Sequence, residues 1–168
     1  IGDEPYLPYQ RPPLSKKFLN GTFKRDRLFL KPDSFYIDKA INVMLDTQVT
    51  ELDSAAKSLT CANGVTIDFS KAVICTGSRP RALPISGSDL ENIFGLRTIA
   101  DIEAMRPHFK PGAKMVVIGG GYIGLETAAS ARQLGVDVTV VEAAERVLER
   151  VTKPELSKFF HQLHLDEG

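Results

Sequence analysis

The chain has 168 residues, 43% hydrophobic and 25% charged, with 13 Gly and 10 Pro, which suits one ordinary globular domain or parts of two and excludes a disordered or collagen-like chain. Lys+Arg 21 balance Asp+Glu 21, so no basic surface for neutralising phosphates is indicated and no nucleic-acid partner is expected. No apolar run approaches the ~20 residues of a membrane span, and Ile1-Gly2-Asp3-Glu4-Pro5 has neither the basic start nor the apolar core of a leader, so no membrane partner is expected.

In chain order, residues 1–35 are rich in proline and charge and read as a stiff loop, because proline fixes φ and removes a backbone donor. Within it, Ser15 is the expected cap of a short helix through Leu19. Ile41–Leu45 and Gln48–Asp53 alternate and predict two strands, broken at Asp46-Thr47. Lys57–Ala62 and Val65–Phe69 flank Asn63-Gly64, a strong short turn signal, and predict a hairpin. Lys71–Thr76 reads as a buried strand ended by Gly77. Residues 78–114 are a connector punctuated by Pro80, Pro84, Gly87, Pro107, Pro111 and Gly112, with a short helix over Ile102–Arg106 capped by Asp101. The domain boundary is placed near Pro111-Gly112.

From Lys114 the pattern changes. Met115–Ile118 is a short apolar strand, Tyr122–Leu134 favours helix, and Gly135 stands where a helix-ending glycine belongs. Val136–Val141 is a second β-branched strand. Pro154 and Glu155 suit the first turn of a helix reaching about His164. His161 and His164 could share a face of that helix. With no further ligands clustered near them, they read as surface or boundary histidines, and no metal site is expected. Cys61 and Cys75, far apart in strand-like surroundings, read as small buried hydrophobes. Without a close cysteine pair no redox dithiol is expected, and a reducing, cytoplasmic compartment fits. The missing initiator Met, and an end at Asp166-Glu167-Gly168 directly after a helix-like run, read as an internal piece of a longer protein.

The chemistry concentrates at Gly119-Gly120-Gly121-Tyr122-Ile123-Gly124, which matches G-x-G-x-x-G. That motif is weak alone. Here it follows a strand, opens a helix and precedes a second strand ending in Glu142, roughly 20 residues on, as a dinucleotide-binding fingerprint requires. Gly119 permits the tight turn, Gly121 lets the backbone approach a pyrophosphate, and Gly124 lets helix and strand pack closely. The helix N-terminus offers N–H groups and partial positive charge to the phosphates. Glu142 suits the adenosine ribose hydroxyls and repels a 2′-phosphate, and Ala143 and Ala144 follow it. NAD(H) is therefore favoured over NADP(H), although Arg146 and Arg150 lie close in sequence. The alternative is a glycine-rich turn that binds nothing.

Arg11-Pro12-Pro13-Leu14-Ser15-Lys16, then Cys75-Thr76-Gly77-Ser78-Arg79-Pro80-Arg81, then Gly119–Glu126, occur in an order and at spacings that resemble the ferredoxin reductase family of FAD/NADH flavoproteins. This family lies within the pyridine nucleotide-disulfide oxidoreductase superfamily. It includes the reductases of putidaredoxin, rubredoxin and dioxygenase ferredoxins, and apoptosis-inducing factor. The resemblance implies an α/β, Rossmann-like flavoprotein fold with two dinucleotide-binding domains, of which this chain is an internal fragment. Residues 1–110 would be a partial FAD-binding domain lacking its first βαβ unit, with the hairpin and connector. Residues 111–168 would be the N-terminal part of the NAD(H)-binding domain.

The resemblance also implies roles. Asp3, with Glu4 as second choice, would hold the FAD ribose. Arg11 would contact the flavin nucleotide and Pro13 would pack near the isoalloxazine. Lys16 would sit near flavin N5 and pair with Glu126, and these two are the expected catalytic residues. Val49 would contact the adenine through its backbone. Thr76, Gly77 and Arg81 would line the FAD site, with Cys75 replacing the family's usual Ala. Ile123, Glu126, Glu142 and Arg150 would contact NAD. The Lys16–Glu126 pair also makes physical sense, since a buried Lys needs a carboxylate. The competing reading makes Lys16 and Glu126 solvated helix residues, and Arg79 and Arg81 part of a solvated loop.

The implied activity is hydride transfer from NADH to flavin. Disulfide-reductase relatives carry a cysteine pair where this chain has RPPLSK, so the expected acceptor is a one-electron iron–sulfur carrier, a ferredoxin or rubredoxin. An NADH oxidase or peroxidase-like flavoprotein, and an apoptosis-inducing-factor-like redox sensor, are the alternatives. Oligomeric state is left open.

Overall fold

The computed structural model describes residues 1–168 and divides into two compact units. The first comprises Ile1–Gln10 and Leu28–Arg79, the second Arg11–Arg27 and Pro80–Gly168. Contacts thus divide the chain at places other than Pro111. The proline-rich segment from Arg11 belongs with the C-terminal half.

In the first unit, β1 (Val49–Asp53), β2 (Ser58–Cys61) and β3 (Thr66–Asp68) form an antiparallel sheet in sequence order, with a bulge between Val49 and Glu51. The expected hairpin is present. Its turn is fixed by Gly64 N donating to Cys61 O (2.9 Å), Cys61 N donating to Val65 O (2.9 Å) and Val65 N donating to Asn63 Oδ1 (3.1 Å). Every residue of β1 is exposed, so its alternation marks no buried face in this chain.

Two expected strands are absent. Ile41–Leu45 pairs with no strand, and Met44 O merely accepts from Gly2 N (2.9 Å). Lys71–Thr76 is neither a strand nor buried: Val73 is 86% and Ile74 73% exposed. A buried strand needs neighbours to ladder with and layers to cover it, and this chain hydrogen-bonds none to 71–76. Cys75 is accordingly exposed, against expectation, while Cys61 is buried. A short helix, α1 (Asp33–Asp38), stands within and just beyond the segment read as loop. Only Leu28, Thr47 and Cys61 are buried in this unit, so it has almost no core of its own.

The second unit holds the larger core. β4 (Lys114–Ile118) and β5 (Asp137–Val141) pair in parallel, Lys114 opposite Asp137 through Ile118 opposite Val141. Between them runs α3 (Tyr122–Gln133), whose Leu125, Thr127, Ala128, Ser130 and Ala131 are buried. Small residues on that face let the helix lie close to the two strands. This βαβ unit matches the expected one. α4 (Pro154–Asp166) begins with Pro154 in its first turn, as expected.

α2 (Ile99–Met105) starts earlier than expected. Thr98 is its cap, and Asp101, expected as the cap, is the third helical residue. The two form a capping box. Asp101 N donates to Thr98 Oγ1 (3.2 Å), and the Asp101 carboxylate accepts from Thr98 N (2.7 Å) and Arg97 N (2.8 Å).

Residues 12–20 form consecutive turns rather than a helix capped by Ser15. Pro13 O accepts from both Lys16 N (3.1 Å) and Phe18 N (2.9 Å), a pattern no regular helix repeats. Leu14, Phe18 and Leu19 are buried. Phe18 is further held by Arg106, whose guanidinium lies 4.7 Å from the ring centroid and donates to the Phe18 carbonyl.

His161 is exposed on α4, and His164 is partly buried there, which lowers its pKa from the ordinary 6.5. No helix is long and apolar enough to cross a membrane. No group of three or more His, Cys, Asp or Glu is placed to hold a metal.

Candidate functional site

The glycine loop leads from β4 to α3. Gly119 has φ 109°, a conformation that side-chain-bearing residues rarely adopt, and its N–H donates to Val141 O (2.7 Å), tying the turn to the end of β5. Gly124 sits where a Cβ would land on the Gly119 carbonyl oxygen and 3.3 Å from Val117 Cγ1, so only glycine allows α3 to approach the turn this closely. Gly121 is the reverse case: a Cβ there would meet nothing within 4 Å. The space above it is open, as close approach of a diphosphate to the main chain requires. No side chain caps the N-terminus of α3. Its first-turn N–H groups and partial positive charge therefore face that space with no side chain bonded at the cap.

Gly120 is a site residue that sequence reading missed. It is buried, its N–H donates to Glu142 Oε2 (2.6 Å), and its carbonyl accepts from Leu148 N (2.9 Å). A Cβ on it would come within 2.9 Å of Val147 Cγ1. The run of three glycines in sequence was the available signal.

Glu142 closes the far side of this space. Besides Gly120, Ala144 N donates to its Oε1 (2.9 Å). These bonds, that from Ala144 first and then that from Gly120, hold its pKa below the ordinary 4.5 against the opposing effect of burial, with smaller contributions from the Ala143 N–H and then the positive charge of Arg150. An ionised carboxylate has about four acceptor positions, so two bonds leave capacity for a pair of hydroxyls. Arg150 is exposed. Arg146, which in sequence blurred the choice between NAD and NADP, is committed to its own loop. Its Nη1 donates to Thr152 O (3.0 Å) and to Ser157 Oγ (2.6 Å), and its Nη2 to Glu149 O (3.1 Å).

A second cluster lies one turn into α3. Lys16 Nζ is 2.6 Å from Glu126 Oε2, so the expected pair forms; the side chains are 46% and 30% exposed, which makes it a half-open pair rather than a buried one. Lys16 also donates to Pro12 O (3.1 Å). Sequence reading missed Ser15, a buried residue whose hydroxyl donates to the same Glu126 oxygen (2.6 Å). It also missed Ser130, whose hydroxyl donates to Ser15 O (2.8 Å). No sequence pattern links residues so far apart; only the folded loop brings them together.

Among the remaining expected residues, Ile123 is exposed in the first turn of α3. Arg11 is tied within the second unit, Nη1 donating to Arg97 O (2.8 Å), and Pro13 is half-buried. In the first unit, Asp3 shares a cavity with Asp46, Thr47, Gln48, Ala62 and Asn63, immediately before Val49. The acceptors and amides of that lining suit the hydroxyls and ring edge of a nucleoside. Thr76 and Gly77 in the first unit, and Arg81 in the second, are exposed and belong to no helix or strand.

A family model described as pyridine nucleotide-disulphide oxidoreductase matches residues 1–168, the entire chain. The chain belongs to that family. Rhodocoxin reductase of Rhodococcus erythropolis is 38% identical over 168 residues, spanning 100% of this chain and 39% of its own. Among solved structures, a ferredoxin reductase from Rhodopseudomonas palustris superposes with a TM-score of 0.92 at 39% identity, over 100% of this chain and 42% of that one. The reductase in a covalent putidaredoxin reductase–putidaredoxin complex superposes at 0.91 with 37% identity, over 99% of this chain and 41% of that one. The family member described by these 168 residues thus spans about two-fifths of the length of the relatives it matches. The Rossmann-like flavoprotein fold expected from sequence is the one these relatives share.

Proposed function

We propose that the protein containing this chain is an FAD-dependent reductase, which takes a hydride from NADH and passes electrons to a small iron–sulfur carrier of the ferredoxin or rubredoxin type. The observation that carries the NADH half is the pairing of open space over Gly121 with an ionised Glu142 beyond it. The glycine turn and the first turn of α3 bind the diphosphate, and Glu142 takes the ribose hydroxyls and repels a 2′-phosphate. Arg146 is spent on Thr152, Ser157 and Glu149, so it does not offset that repulsion.

Bound FAD would supply acceptance of one hydride and release of its two electrons one at a time. On its side of the site, Asp3 and the backbone of Val49 would hold the adenosine, Thr76, Gly77 and Arg81 would line the remainder, and Arg11 and Pro13 would stand nearest the ring. The half-open Lys16 ammonium would place positive charge where the reduced ring gathers negative charge, with Glu126 holding it there and touching the nicotinamide side. Ile123 and Arg150 complete the NADH contacts. The nucleotide-domain limits at residues 1–110 and 111–168 are part of this reading.

Two supports favour the iron–sulfur acceptor. The relatives named above are reductases of small redox carriers. The segment preceding Lys16 has Ser15 and no cysteine, so no dithiol relay stands there. This reading takes the compartment to be the cytoplasm, and the two free cysteines, Cys61 and Cys75, support a reducing one.

Steady-state assay of the full-length protein tests it. NADH-driven reduction of a ferredoxin or rubredoxin, with FAD bound and little oxygen consumed, is the expected result. Turnover with oxygen alone, or a long-lived charge-transfer complex without turnover, would replace the carrier in this reading.

A further inference from the structure

The proposed reading uses Lys16 and Glu126 and gives Ser15 no task, yet Ser15 is the buried member of that cluster. It is 4% exposed, while the Lys16 and Glu126 side chains are 46% and 30% exposed. Its hydroxyl and the Lys16 ammonium meet a single oxygen, Glu126 Oε2, both at 2.6 Å. Its carbonyl accepts from Ser130 Oγ at 2.8 Å, one turn further along α3. Ser15 is therefore fixed at both ends to the helix that carries Glu126.

Lys16 has no comparable anchor. Beyond Glu126 it reaches only the Pro12 carbonyl at 3.1 Å. A half-exposed ion pair between flexible side chains is worth little and samples many geometries, because water screens it and side-chain entropy opposes it. A second donor from a buried, immobile hydroxyl changes this. It selects one carboxylate rotamer and leaves the ammonium a single place to sit.

We propose that Ser15 is the positioning residue of this cluster: its hydroxyl fixes the Glu126 carboxylate, and through it the Lys16 ammonium, in the geometry used for flavin reduction. The inference rests on the assignment of Lys16 and Glu126 to the flavin site. In this proposal Ser15 acts through Glu126, to which its hydroxyl donates, and not by contact with a coenzyme. Loss of one such hydrogen bond corresponds to a roughly three- to tenfold change in rate.

The test is anaerobic rapid-mixing of the full-length FAD-loaded protein with NADH, following flavin bleaching across NADH concentrations. Ser15→Ala is expected to lower the limiting reduction rate roughly three- to tenfold while leaving the NADH dissociation constant unchanged. Ser15→Thr, which restores a hydroxyl, should recover most of the rate. In a Glu126→Ala background, Ser15→Ala should add no further slowing, a non-additivity that loss of general packing does not produce. Should Ser15→Ala lose its flavin, Ser15→Cys replaces it, keeping the volume and weakening the donor. A wild-type rate in Ser15→Ala, or equal slowing in the Glu126→Ala background, overturns the inference. Wild-type rates in both Lys16→Ala and Glu126→Ala would instead remove the flavin assignment on which it stands.

Discussion

Glu142 serves two partners with one carboxylate. It holds the Gly120 and Ala144 N–H groups, and it presents the rest of its acceptor capacity to the space beside the glycine turn. Glu142→Arg should therefore do two things. It should move coenzyme preference toward NADPH by about tenfold or more, since a guanidinium pairs with a 2′-phosphate. It should also cost about 1 kcal/mol of stability for the lost anchor on Gly120. Dissociation constants for both coenzymes, with a denaturation curve beside them, read both effects; unchanged preference for NADH would count against Glu142 as the selector. Two glycines three residues apart make opposite predictions. Gly121→Leu should leave the melting temperature nearly untouched, because the space around its Cβ is open, yet block nucleotide binding. Gly124→Ala should cost about 3 kcal/mol or more, because the methyl collides with backbone that cannot yield. Calorimetry with and without NADH separates the two variants.

Among the elements, α4 carries a pH dependence. Burial holds His164 neutral below its ordinary 6.5 in the folded chain, so the unfolded chain takes up the proton first as the pH falls. The stability present above 6.5 is lost on acidification below it, and His164→Gln should flatten that part of the profile. Equal loss of melting temperature between pH 7.5 and 5.5 in wild type and variant, roughly the range over which an ordinary histidine titrates, would refute it. The β4–α3–β5 unit was legible in sequence because its signals are local: an apolar strand, a glycine run, a helix-favouring stretch and a closing acid. α2 was legible as a helix but started earlier, because Thr98 and Asp101 divide the capping work and either residue alone resembles a cap. Lys71–Thr76 misled because burial of a strand is decided by its neighbours. Ser15 was misread for a related reason. Its capping chemistry is real, but its acceptor lies on a helix that begins more than a hundred residues later.

At the scale of the molecule, the two units are unequally built. Nearly all buried apolar side chains lie in the second, including Leu14, Ile99, Ile102, Leu125, Ala131 and Val136. The candidate residues are divided in the same way. The glycine turn, Glu142 and the Ser15–Lys16–Glu126 cluster stand on the well-packed unit, whereas Asp3, Val49, Thr76 and Gly77 stand on the one with little core. Hydride chemistry depends on groups held within fractions of an ångström, and the cluster proposed for that step is on the unit with the larger core.

The uncovered ribbon at Lys71–Thr76 has a practical consequence for anyone handling these 168 residues by themselves. Val73 and Ile74 lie bare along backbone that no strand pairs, and such a segment is a template for a second copy. Concentrated samples should cloud with time, as light scattering would record, and a single charge at Ile74→Lys should keep them clear.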